Sequence, residues 1–143
     1  MIFCVVCCNT KPTMSQEKFS IDIWDYRASL SVTLHYHIDN DSVIVEKEGG
    51  VQDDETQRLI SKRLNNAETQ RIIEGLSSLP ITKLEDKYID PLTEDGDQKT
   101  IELIFGEVKK EIEISNVYVE DLAILITLVN DLLDPESRIT YSK

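Results

Sequence analysis

The sequence predicts an α+β domain: an antiparallel sheet built from hairpins, with two helices packed on one of its faces as a two-layer sandwich. Three observations carry this expectation. Several segments alternate apolar and polar residues with a period of two, the mark of strands with one buried face. Two longer segments carry apolar stripes at helical spacing, and each is closed by a proline. The segments run in the order hairpin, helix, hairpin, helix, and a sheet with both helices on one side is the economical way to bury every one-sided face.

The elements follow in chain order. "FSIDIW" sets Phe19, Ile21 and Ile23 against Ser20, Asp22 and Trp24. In "LSVTLHYHI", Leu30, Val32, Leu34, Tyr36 and Ile38 share one face, and Ser31, Thr33, His35 and His37 the other. "DND" at 39–41 is a turn, and "SVIVEKE" returns as a strand that Gly49 and Gly50 end. "TQRLISKRL" reads as a further strand or as an extended lead-in. Asn65 followed three residues later by Glu68 has the spacing of a capping box, so a helix begins there. Its stripe is Ala67, Ile72, Ile73, Leu76 and Leu79, and Pro80 stops it. "KLEDKYIDPLTEDGD" is mostly loop, with a short strand near 84–89. "KTIELIFGEVKKEIEIS" is a second hairpin, with Ile101, Leu103, Phe105, Ile112 and Ile114 inward and Gly106 at the turn. A last helix over 119–133 buries Leu122, Leu125, Ile126, Val129, Leu132 and Leu133 before Asp134-Pro135 closes it.

A chain of 143 residues fits one such domain, here 19–143, and is long enough to need no disulfide staples. The charge balance is unusual: 27 acids against 15 bases leave a net charge of -12. Nucleic acid is thereby excluded as the expected partner, because phosphate binding needs clustered Lys and Arg. Adsorption to an anionic membrane by charge is excluded on the same ground. No segment reaches the roughly 20 apolar residues of a spanning helix.

All three cysteines, Cys4, Cys7 and Cys8, lie in the opening "MIFCVVCCNTK". The CxxC spacing of Cys4 and Cys7 lacks the second ligand pair of a structural zinc site, and no helix start follows it to activate a thiol. What remains is the order of residues: an apolar run that ends in Val5-Val6-Cys7-Cys8, then the polar "NTKPTMSQEK". This stretch resembles the lipobox and tether of bacterial lipoproteins, although Cys7 stands where that family usually has Gly, Ala or Ser. The resemblance covers about a dozen residues. It implies that 1–18 are the residue of a signal plus a tether, that Cys8 is lipidated, and that the protein is anchored in the cell envelope. The alternatives for the stretch are a short apolar first strand and cytosolic thiol chemistry or palmitoylation.

His35 and His37 point to one side of their strand, so both imidazoles could reach one ion, but paired histidines on a solvated sheet face are more often polar surface. "DPLTEDGDQ" is acidic like a calcium loop, yet its spacing fails the EF-hand pattern and Asp95-Gly96 is better explained as a turn. No nucleotide-binding glycine motif occurs. With only two histidines and no distinguished carboxylate pair, no catalytic residue emerges, so the expectation is a non-enzyme that needs no metal or cofactor. The binding surface is then the sheet face away from the helices, where Trp24, Tyr26, His35 and His37 stand among Asp22, Glu102, Glu111 and Glu113. The expected function is an exported or lipid-anchored envelope protein whose domain binds another protein, touching the membrane only through its lipid. The alternative is a small acidic inhibitor or immunity-type protein, cytoplasmic, that covers a basic partner.

Overall fold

The structure is a computed structural model that describes residues 16–50, 55–93 and 96–143. The expected tether and Cys8 lie almost wholly outside these residues. So do Glu94 and Asp95 of the acidic loop. The fold is α+β. Four strands come first: β1 (Phe19–Arg27), β2 (Val32–Asp39), β3 (Ser42–Gly49) and β4 (Gln57–Arg63). Helix α1 (Asn66–Ser78) follows, then β5 (Lys87–Ile89), β6 (Gln98–Phe105), β7 (Val108–Ser115) and α2 (Glu120–Asn130). The strands form one seven-stranded sheet in the order β4-β3-β2-β1-β6-β7-β5. All neighbours are antiparallel except β5, which runs parallel to β7. The element order is therefore a four-stranded meander before the first helix rather than a hairpin, and the sheet is mixed rather than purely antiparallel.

Alternation decides which residues are buried. Phe19, Ile21 and Ile23 of β1, Tyr36 and Ile38 of β2, and Val43 and Val45 of β3 are buried. Ile101 and Leu103 of β6, with Ile112 and Ile114 of β7, complete the sheet's share of the core. The helices contribute Ile72, Ile73 and Leu76 from α1 and Leu122, Leu125, Ile126 and Val129 from α2 to the same cluster. The helices also meet each other at Gly75, where a Cβ would run into the side chain of Leu128. On the other face of the sheet no side chain of β1, β2, β3, β6 or β7 is fully buried.

Local chemistry sets the ends of the elements. Asn65 caps α1: its side chain accepts from the Glu68 amide at 2.9 Å, and Glu68 accepts from the Asn65 amide at 3.0 Å. Thr69 rather than Ala67 is buried in the first turn of α1, because its hydroxyl donates to the Asn40 carbonyl in the β2–β3 turn. Asp39 holds that turn, accepting from the amides of Asp41 and Ser42 at 2.9 and 2.8 Å. Gly106 takes a positive φ of 58° at the first of the two residues between β6 and β7, as a type II′ hairpin requires. Helix α2 has no side-chain cap; the Tyr141 hydroxyl accepts from the Val119 amide instead and donates to the Val117 carbonyl. The Asn130 side chain pairs with both backbone groups of Ile139, which pins the C-terminal segment over the core.

Leu30 departs from the expected inner face. Ala28–Leu30 form a turn of 3-10 helix and Ser31 adopts φ 51°, so β2 begins at Val32 and Leu30 is left 59% exposed. Leu34 is half-buried against the core and Leu125 is fully enclosed. Leu125→Ala is accordingly expected to cost about 2–4 kcal/mol, and Leu34→Ala only about 1 kcal/mol. Denaturant midpoints of the two variants check the ranking; equal losses would show that the burial of the two sites is misread.

Candidate functional site

The expected site residues come together on β1 and β2. These strands pair so that Trp24 stands opposite His35, Asp22 opposite His37 and Tyr26 opposite Thr33. Trp24 and His35 stack, with ring centroids 4.5 Å apart and planes 5° from parallel. Asp22 Oδ1 lies 2.8 Å from His35 Nε2 and 2.8 Å from His37 Nδ1. A carboxylate only accepts, so both of these nitrogens carry hydrogen and one aspartate orients both rings. The other nitrogen of His37, Nε2, lies 3.5 Å from Asp39 Oδ2. Tyr26 stands one step beyond Trp24 on the same face, 42% exposed and outside this bonded group.

This arrangement uses the histidines for positioning. The nitrogens that converge are taken by Asp22, and no group of three His, Cys, Asp or Glu side chains among the described residues is placed to hold a metal ion. At the acidic loop, Asp90 accepts from the Leu92 amide and from the Thr93 hydroxyl, so its carboxylate closes its own turn. Burial opposes a charge on His37, but the hydrogen bond and charge of Asp22, with those of Asp39, outweigh it and hold His37 above its ordinary value.

The row through Asp22 continues across the sheet. Asp22 pairs with Glu102 of β6, and Glu102 with Glu111 of β7. Three acids thus stand side by side across neighbouring strands, an order that destabilises a sheet. Asp22 has the two imidazoles. Glu102 and Glu111 have no Lys or Arg paired with them among the described residues, whereas Glu46 is bridged by Arg58 and Glu113 by Lys87 nearer the sheet edges.

A second polar cluster was not anticipated. Asp25 and Lys99 sit on the inner face at the end of the core, only 3% and 2% exposed. Lys99 Nζ bonds Asp25 Oδ1 at 2.9 Å and also Asp97, and Arg27 Nε bonds Asp25 Oδ2 at 3.1 Å. The Tyr36 hydroxyl lies deeper, without a hydrogen-bond partner among the described residues. Burial pushes its pKa up to about 12, with the Arg27 guanidinium pulling the other way. The cluster floors an open cleft of about 920 Å³ that Tyr26, Leu30 and Thr140 help to line. The signal for it was present in the sequence: Asp25 continues the series Phe19, Ile21, Ile23, and Lys99 precedes Ile101 and Leu103 at the same spacing.

No protein-family model matches the chain, and no curated protein is significantly similar to it.

Two expectations follow. Because the folded pKa of His37 is raised, the stability it contributes is fully present below its ordinary value of 6.5 and is lost as pH rises through the higher folded value. The stability gap between the parent and His37→Gln should therefore shrink from about pH 5.5 to about pH 9 in denaturant titrations; a constant gap would remove the charge pairing. Lys99→Met should cost about 3 kcal/mol, at the lower end for a broken buried pair because Arg27 stays on Asp25. Adding Asp25→Leu should recover part of that loss, and an unaltered denaturant midpoint in the single variant would refute the pairing.

Proposed function

We propose that this is a non-enzymatic, protein-binding domain of the cell envelope, anchored through a lipid on Cys8, that meets its partner with the face of the sheet carrying Trp24, Tyr26, His35 and His37. The observation that carries the reading is the Trp24–His35 stack, with Asp22 fixing both imidazoles on a face that has no fully buried side chain on its central strands. Aromatic and imidazole groups held in one orientation lose little entropy on binding, which is what a contact surface gains from preorganisation. Trp24 is the only tryptophan of the chain, and its position on this face favours contact over packing.

A two-layer sandwich belongs to the same reading. The buried strand residues share one parity, and the single core they form takes in α1 and α2, which touch at Gly75 and Leu128. Both helices on one face leave the other for a partner. The envelope location rests on the lipobox-like Val5-Val6-Cys7-Cys8 and the polar segment after it. No helix among the described residues is long and apolar enough to cross a membrane. The second reading, an acidic cytoplasmic inhibitor of a basic partner, is favoured by the net charge of -12.

Two measurements test the proposal. The gene with its upstream codons is expressed in a bacterial host and the intact mass of the membrane fraction is taken. A chain that begins at Cys8 and carries diacylglycerol is expected, and Cys8→Ala should leave that fraction. A chain that keeps Met1 and three free thiols would replace the anchored reading by the cytoplasmic one. In the native cell, a photo-crosslinking benzoylphenylalanine in place of Trp24 should trap a discrete protein. The same group in place of Ile124, 44% exposed on α2, should not. Equal labelling from both positions would overturn the choice of face.

A further inference from the structure

We infer that the partner presents arginine to this face, seated on Glu102 and Glu111 with its guanidinium against Trp24. The inference rests on the open-face reading above and specifies its occupant.

Charge complementarity carries it. Asp22, Glu102 and Glu111 are lateral neighbours on β1, β6 and β7, so their carboxylates follow one another at the strand spacing of about 4.8 Å. The two histidines hydrogen-bond Asp22. Glu102 and Glu111 face one another, and among the described residues no base is paired with either. The face does carry cations: Arg58 and Lys87 lie on β4 and β5, the two outer strands, bridged to Glu46 and Glu113, and Lys109 stands outward on β7 opposite Ile104, with no salt bridge to Glu102 or Glu111. With Lys109 the one outward base on β6 and β7, Asp22, Glu102 and Glu111 leave the middle of the sheet with a net negative charge, and the directly opposed Glu102 and Glu111 stand where a sequence selected only for stability would place a lysine on one strand or the other.

Trp24 selects the kind of cation. His35 covers the ring face that looks toward β2. The opposite ring face looks toward β6, above Thr100, and Glu102 is the next outward residue on that strand. A planar cation laid on that ring would have Glu102 diagonally beside it, with Glu111 one strand further on β7. A guanidinium stacks on an aromatic face and offers a fork of N–H donors to carboxylates, whereas an ammonium is a hydrated point charge that does the first poorly. A second copy of this chain does not fit the surface: it would bring the same acids against themselves, on a molecule of net charge -12. Nor does a nucleic acid or an anionic bilayer, for the same reason of sign.

The test is calorimetric titration of the full chain with hexa-arginine and hexa-lysine peptides, with Trp24 fluorescence as a second readout, since no other tryptophan contributes. Hexa-arginine is expected to saturate, to perturb Trp24, to bind tighter than hexa-lysine and to weaken as salt rises. Glu102→Gln with Glu111→Gln should lower the affinity at least tenfold and raise the thermal midpoint, because the like charges are gone. The charge-matched control, Glu74→Gln with Glu136→Gln, alters exposed acids elsewhere and should leave binding near that of the parent. If the control weakens binding as much as the face variant, the peptide senses only net charge and the inference falls. Absence of saturable binding, or hexa-lysine binding as tightly, also overturns it. Should photo-crosslinking at Trp24 trap a partner whose affinity ignores Glu102→Gln with Glu111→Gln, the arginine assignment fails while the open-face reading stands. If no open-face position traps a partner, the reading itself fails.

Discussion

The pairing of β1 with β6 holds the molecule together and sets both of its polar clusters. On one side of that join lie β2, β3 and β4; on the other lie β6, β7 and β5. The register runs from Phe19↔Phe105 to Tyr26↔Gln98. It places Ile21 beside Leu103 and Ile23 beside Ile101 inside, and Asp22 beside Glu102 outside. At the end of the same ladder Asp25 meets Lys99, 74 residues away in sequence, and the two neutralise one another under the C-terminal segment. A slip of one residue would turn Ile101 and Leu103 to solvent and part the buried Asp25 from Lys99. The apolar alternation and the buried pair therefore demand the same register, and that agreement is what makes a contact of such long range worth its loop-closure entropy.

Much of this was legible because alternation is a local property. Phe19, Ile21, Ile23, Tyr36, Ile38, Ile101, Leu103, Ile112 and Ile114 are buried as their parity demands. The stripe Leu122, Leu125, Ile126, Val129, Leu132 and Leu133 is buried throughout, and the capping box at Asn65 and Glu68 forms both of its bonds. Trp24, His35 and His37 do converge, since neighbouring strands joined by a short connection bring their outward residues side by side.

What escaped was whatever depends on a partner strand. In β4 only Ile60 is even half-buried, because it is an edge strand, so it has no alternation to read. β5 is three residues long and pairs in parallel with a strand that comes later in the chain, which no local pattern announces. Leu30 obeys the alternation but is lifted out of β2 by the left-handed Ser31, a conformation that serine seldom adopts. Asp25 and Lys99 follow the inward parity, yet a charged residue at an inward position reads as the end of a strand until its counter-charge is known. The role of Asp22 was equally hidden: it is one acid among 27, and only the β1–β2 register shows that both histidines turn to it.

The two clusters treat charge in opposite ways, and the difference follows from the dielectric. Inside, every ion must be matched, so Lys99 lies between two carboxylates and Asp25 between two bases. Outside, water screens repulsion enough that Glu102 and Glu111 can stand opposed at a cost of a fraction of a kcal/mol, roughly 0.2–1. That cost recurs in every molecule, whereas a lysine in place of either glutamate would remove it. Acidity that served solubility alone could be spread over the helices and loops, where like charges need not face one another. Its placement in the middle of the sheet, beside the sole tryptophan and a pair of histidines bonded to one aspartate, suits the proposed binding of a cationic partner at that face. Under the proposed anchoring the same charge also acts on orientation: an acidic domain is held off from anionic headgroups, so a tether to Cys8 would let it stand away from the bilayer with that face open to a partner.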